Sequence, residues 1–144
     1  PGATVSFADG YPLLLTSTAS LADLNRRIQS TDPLADGVSM RQFRPNIVVE
    51  LDDYRAFEED DWRVLQIGDI EFDCVKPCDR CIVTTTDQSS GDRNHAKEPL
   101  RTLATFRRFN NKLFFGENLV PKTLGTLRLG DELKILVSEI GLQV

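Results

Sequence analysis

Apolar positions along this 144-residue chain fall into short runs of two periods. PLLLTS at 12–17 is a compact apolar run of the kind a buried strand gives. STASLADLNRRI follows it, with a Ser or Thr cap ahead of Leu21, Leu24 and Ile28 at the spacing of one helical face. Residues 31–37 read as loop, and RPNIVVEL at 44–51 as a β-branched strand entered through Pro45, where a strand tolerates proline. YRAFEEDDW at 54–62 reads as an acidic loop or turn. WRVLQI (62–67) and IEFDCV (70–75) alternate, and Gly68-Asp69 between them suits a tight hairpin, which sets Cys74 inside a strand. CIVTTTD (81–87) is the next strand pattern and QSSGDRNHAKE (88–98) a polar loop. Pro99 stands where a helix start accepts it, ahead of Leu100, Leu103, Phe106 and Phe109, so the spacing predicts a second amphipathic helix over 98–109. LFFGENLV, GTLRLG and ELKILV close the chain as strands, with Gly130-Asp131 as a further hairpin signal. Seven or eight short strands and two helices, in no βαβ alternation, predict a mainly β fold: a closed or partly closed antiparallel β-barrel with two short flanking helices.

Composition agrees with one ordinary domain, at 40% apolar and 27% charged residues of both signs. A formal charge of −5 argues against nucleic acid as a partner, because phosphate-backbone binding needs clustered Lys and Arg. No apolar run approaches the roughly 20 residues that span a bilayer, and residues 1–10 lack a signal-peptide pattern. The expectation is a cytoplasmic protein with no membrane partner. Three cysteines, all within CVKPCDRC at 74–81, make a secreted disulfide framework improbable and raise a metal or redox role.

Spacing offers four uses for these thiols. C-x3-C-x2-C is the pattern that holds a 4Fe–4S cluster in radical S-adenosylmethionine enzymes, but those are much larger βα barrels, and Cys74 belongs to a strand. A zinc site needs four ligands, and His95, the chain's one histidine, would have to join the three thiols from a polar loop. A catalytic dithiol normally opens a helix, whereas β-branched residues follow Cys81. The last use is a single thiolate: Cys81 at the lip of a strand, presented from a 76–80 loop in which Lys76 and Arg80 favour the charged form. Cys74 reads as a small buried hydrophobe.

Other polar groups carry less. Arg44 and Asn46 flank a strand start, where an Arg forks onto a phosphate or pairs with a neighbouring acid. The acids at 58–61 read as a solvated face, Asp9-Gly10 as a turn, and Ser17, Thr18 and Ser20 as helix caps. There is no Gly-rich phosphate loop, and no Ser-His-Asp set independent of His95.

Eight segments in order resemble one family. They are D-x-x-P-L-L-L at 9–15, A-S-L-x-D-L-N at 19–25, F-R-P-N-I-V-V at 43–49, A-F-E-E-D-x-W at 56–62, L-x-I-G-D at 65–69, C-x-R-C-I-x-T-T-x-D at 78–87, K-E-P-L-x-T-L at 97–103 and G-T-L-R-L-G-D at 125–131. Together they resemble a MOSC domain, the molybdenum cofactor sulfurase C-terminal domain, in the branch of the mitochondrial amidoxime-reducing components and bacterial YcbX-type proteins. The resemblance implies a β-barrel-like fold that binds a pterin-based molybdenum cofactor, with Cys81 rather than Cys78 as the thiolate on the metal. It implies Arg44 and Asn46 in the cofactor pocket, Arg80, Thr84 and Thr85 beside it, and Asp9 near the metal for proton delivery. Gly10 and Tyr11 depart from the small hydroxyl residues of the animal members. The implied reaction is reduction of small N-hydroxylated substrates, with electrons from an iron–sulfur domain or partner protein. A carrier of cofactor or sulfur without small-molecule turnover is the alternative, and a structural zinc domain a weaker one. The family's β-rich N-terminal segment is missing ahead of residue 9, so 1–144 is expected to be a single MOSC domain from the C-terminal portion of a longer protein, and the piece alone is expected to lack cofactor or activity.

Overall fold

The computed structural model describes residues 4–6 by their backbone, and 13–50, 55–80, 98–123 and 125–139 in full. Strands β1 (Thr4–Ser6) and β2 (Leu13–Ser17) precede helix α1 (Thr18–Thr31). A 3-10 turn, Met40–Phe43, leads to β3 (Ile47–Val49), and a second, Glu58–Asp61, leads to β4 (Trp62–Ile67) and β5 (Ile70–Asp79). Helix α2 (Leu100–Phe106) is followed by β6 (Arg108–Phe109), β7 (Lys112–Pro121), β8 (Thr126–Arg128) and β9 (Leu133–Ser138). Among the described residues one sheet runs β3-β2-β7-β5-β4-β9, with β6 attached to β7, and β1 pairs separately with β8. The large sheet curls into a half-barrel, the mainly β architecture with short helices that the pattern predicts.

Local chemistry accounts for the elements. The Ser17 hydroxyl caps α1 by accepting from the Ser20 amide at 3.1 Å, and Leu24 and Ile28 bury one stripe of the helix. Gly68, with φ 58°, makes the β4–β5 turn. Three expectations need correction. First, β3 pairs with β2 in parallel, Leu15 against Ile47: α1 serves as the crossover that a parallel pair requires, so the sheet is not wholly antiparallel. Second, the second helix stops at Phe106, because Asn110 and Asn111 both adopt positive φ, 51° and 63°, and fold 108–113 into a hairpin. Third, 76–79 is strand rather than loop: β5 continues to Asp79 against β7 by slipping register twice, between Cys74 and Lys76 and between Pro77 and Asp79.

Two apolar clusters lie on opposite faces of the sheet. Leu13, Leu15, Ile47, Trp62, Leu65, Phe72, Cys74 and Leu119 fill the inside of the curl, and Leu24, Ile28, Phe43, Leu103 and Phe115 join the helices to its other face. β2 is buried along its whole length because it is central between β3 and β7 and covered on both faces.

Candidate functional site

The two motifs singled out for the cofactor pocket meet at the end of β5. The Arg80 amide donates to the Leu113 carbonyl at 2.7 Å, extending β5 along β7. Its guanidinium then reaches across the sheet: Nη2 donates to the Phe43 carbonyl at 2.7 Å, and Nη1 lies 3.2 Å from Cys78 Sγ. The Phe43 ring stacks on Phe115 with centroids 4.0 Å apart, and the guanidinium stands 5.5 Å from the Phe43 centroid. Phe43 ends a 3-10 turn held by a reciprocal Ser39–Gln42 cap. Arg44 follows in a left-handed conformation, φ 54°, and is exposed. Asn46 pins the turn to β2 with two bonds. Its amide donates to the Leu14 carbonyl at 2.9 Å, and its Oδ1 accepts from the Leu14 amide at 2.8 Å.

The Arg80–Phe43 bond thus joins the turn that carries Arg44 and Asn46 to the Cys78–Arg80 end of β5. Arg80 Nε is buried without a hydrogen-bond partner, an uncommon state for a charged donor. Together with exposed Arg44 it gives the site a cationic donor set suited to an anionic group such as a phosphate. Cys81 follows Arg80 directly in the chain. Cys81, Asp9, Thr84, Thr85 and His95 lie outside the described residues. Among the described residues no group of three or more His, Cys, Asp or Glu is arranged to hold a metal ion.

Beside this end lies a buried polar cluster that the sequence reading missed. The acids at 58–61 are not a solvated face: Glu59 and Asp60 are buried. Glu59 accepts from the Ser20 hydroxyl at 2.6 Å and from the Ser17 hydroxyl at 3.2 Å, tying the turn to the start of α1. Asp60 receives both terminal nitrogens of Arg107, at 2.6 and 2.9 Å. Arg107 Nε donates to the Phe114 carbonyl at 3.2 Å, and its guanidinium lies 4.3 Å from the Phe57 ring centroid. Glu117 of β7 is 1% exposed, and its Oε1 has no partner. Burial, and next the nearby Asp60 charge, pushes the Glu117 carboxyl up to about 9. Burial raises Glu59 as well, against the lowering effect of Ser20. Burial, and then the Glu117 charge, pushes the Cys74 thiol up to about 12, which fits its expected place as core filler.

Comparison with known proteins covers most of the chain. The model of the family described as MOSC domain matches residues 2–134. Human mitochondrial amidoxime-reducing component 1 is 38% identical over 94% of this chain and 40% of its own length. Rat mitochondrial amidoxime reducing component 2 is 42% identical over 88% of this chain and 37% of its own. Molybdenum cofactor sulfurase from Arabidopsis thaliana is 34% identical over 78% of this chain and 14% of its own. The chain therefore spans about two fifths, or less, of the length of the relatives it matches.

Proposed function

This chain belongs to the MOSC domain family, and from that premise we propose that it is the molybdenum-cofactor-binding portion of an oxidoreductase that reduces N-hydroxylated compounds. The observation that carries the reading is the junction of the RPN turn with the CDRC segment. Arg80 bonds the Phe43 carbonyl and keeps a buried Nε without a partner, one residue ahead of Cys81. Arg44 and Arg80 would take an anionic pterin phosphate, and Asn46, already bonded to β2, would keep the pocket wall in register. Cys81 would supply the thiolate ligand, with Thr84 and Thr85 beside it and Asp9 holding a proton for the leaving oxygen. When bound, the molybdenum cofactor supplies the two-electron chemistry, while the chain binds and orients. Electrons would come from an iron–sulfur domain or partner protein, and the oxygen of a hydroxylamine or amidoxime would leave as water.

The test is metal analysis and turnover of full-length protein. Molybdenum is expected to be lost in Cys81→Ser and kept in Cys78→Ser, and reductant plus a hydroxylamine substrate should yield the amine. Stoichiometric zinc held by Cys78 and Cys81 would overturn the assignment. Bound molybdenum without turnover across a substrate panel would establish the carrier reading, which the likeness to a cofactor sulfurase also supports. A cytoplasmic location is the reading of the sequence. No helix among the described residues is long and apolar enough to cross a membrane. The animal relatives are named as mitochondrial, and cell fractionation separates the two compartments.

A further inference from the structure

β5 leads to Cys81, and its last residues are loosely laced to β7. Pro77 lies between the two register slips and has no N–H for the ladder. Opposite it stands Glu117, which is also opposite Leu15 of β2, itself opposite Ile47 of β3. Ile47, Leu15, Glu117 and Pro77 form one row across four strands, and residues paired in this way share a face. Ile47 and Leu15 belong to the apolar interior of the curl, so Glu117 is directed there with them.

Charged and titratable groups approach it from each packed element: Glu59 and Asp60 from the 3-10 turn, Arg63 from β4, Arg107 from beyond α2 and Cys74 from β5. Its Oε1 takes no bond from either arginine. Asp60 engages both terminal nitrogens of Arg107, and Arg63 Nη1 donates to the Asp60 and Trp62 carbonyls. A carboxylate at this point would keep a buried oxygen without a donor, opposed by burial and by the Asp60 and Glu59 charges though favoured by the Arg63 charge. β7 cannot shift to relieve it without loss, because Gly116, with φ 90°, packs where an added Cβ would come within 2.9 Å of the Leu15 carbonyl. β5 is the looser side, with a proline and two slips.

We propose that Glu117 is a positioning residue for the end of β5: as a neutral carboxylic acid it lets β5 close on β7 at Pro77, and loss of its proton opens that end and displaces residues 77–80, which lead into Cys81. The link to the metal thiolate rests on the function proposed above, whereas the opening itself does not.

Hydrogen exchange of the full-length chain tests this at the Arg80 amide, which donates to Leu113 across the same strand pair, with amides of the β2–β3 pair reporting global unfolding. Corrected for intrinsic rate, Arg80 protection is expected to fall about tenfold per pH unit between roughly pH 6 and 8, the slope for release of one proton on opening. In Glu117→Gln it is expected to be independent of pH. Wild-type protection that does not change with pH, Arg80 protection equal to that of the β2–β3 amides at every pH, or a Gln variant with the wild-type slope, overturns the proposal. If the Gln variant does not fold, the side-chain 13C shift of wild-type Glu117 decides. A midpoint above about 7 supports the proposal, and one below it, toward the ordinary glutamate value near 4.3, overturns it. Metal content of the same samples separates the two ideas: opening without bound molybdenum leaves this proposal standing and the function in error. Molybdenum bound with flat protection does the reverse.

Discussion

Arg107→Met is the sharpest probe of the buried polar cluster. The substitution keeps the length of the aliphatic stem and removes the guanidinium that neutralises Asp60, whose side chain is 6% exposed. Removing one partner of a buried pair typically costs about 3–5 kcal/mol, because the other charge is left behind. The charge penalty is therefore expected to fall in that range, about 3–5 kcal/mol. Loss of the ring contact with Phe57 adds about 0.5–2 kcal/mol. Urea unfolding followed by the fluorescence of Trp62, the chain's one tryptophan and 1% exposed, measures both. Adding Asp60→Leu should restore most of the stability, since an apolar pair of similar volume replaces a buried ion pair at little cost. A penalty under about 1 kcal/mol, or a double variant no better than the single, would refute the reasoning.

Three further outcomes follow from the same geometry. Because Glu117 is raised to about 9 when folded, the unfolded chain loses a proton that the folded chain keeps. Stability then falls as pH rises from about 4.5 toward 9, by about 1.4 kcal/mol per unit, and Glu117→Gln should flatten that slope in denaturation at several pH values. Ser20→Ala removes the 2.6 Å donor to Glu59 and the acceptor of the Phe57 amide at 2.8 Å. The expected loss is about 1–3 kcal/mol by urea midpoint, while Ser20→Thr should retain part of it. Alkylation at pH 8 read by mass spectrometry should leave buried Cys74, with its thiol raised to about 12, unmodified in the folded chain, while half-buried Cys78 reacts.

How far these features could be read in the chain depends on the range of the interaction behind each. Caps, alternation and the Gly68-Asp69 turn act within a few residues, so α1, β4 and the first part of β5 were legible, and so was Cys74 as core. The parallel β2–β3 pair was not, since it depends on where α1 sends the chain. Nor were the partners of Glu59 and Asp60, which come from Ser17 and Ser20 about 40 residues upstream and from Arg107, 47 residues from Asp60. Motif likeness picked out RPN and CDRC separately, but only the Arg80–Phe43 bond, spanning 37 residues, shows them as one surface. Glu117 is a different case, because a charge inside LFFGENLV is visible as an exception to an apolar run. An acid in such a position has to find a partner, keep its proton or stay wet. Neither of the first two outcomes shows in local sequence; in the structure Glu117 Oε1 has no partner, Arg107 is bonded to Asp60 and Arg63 Nη1 to two backbone carbonyls. An acid flanked by apolar residues on a central strand is therefore a signal in its own right, and here it falls opposite the proline whose strand runs on to Cys81.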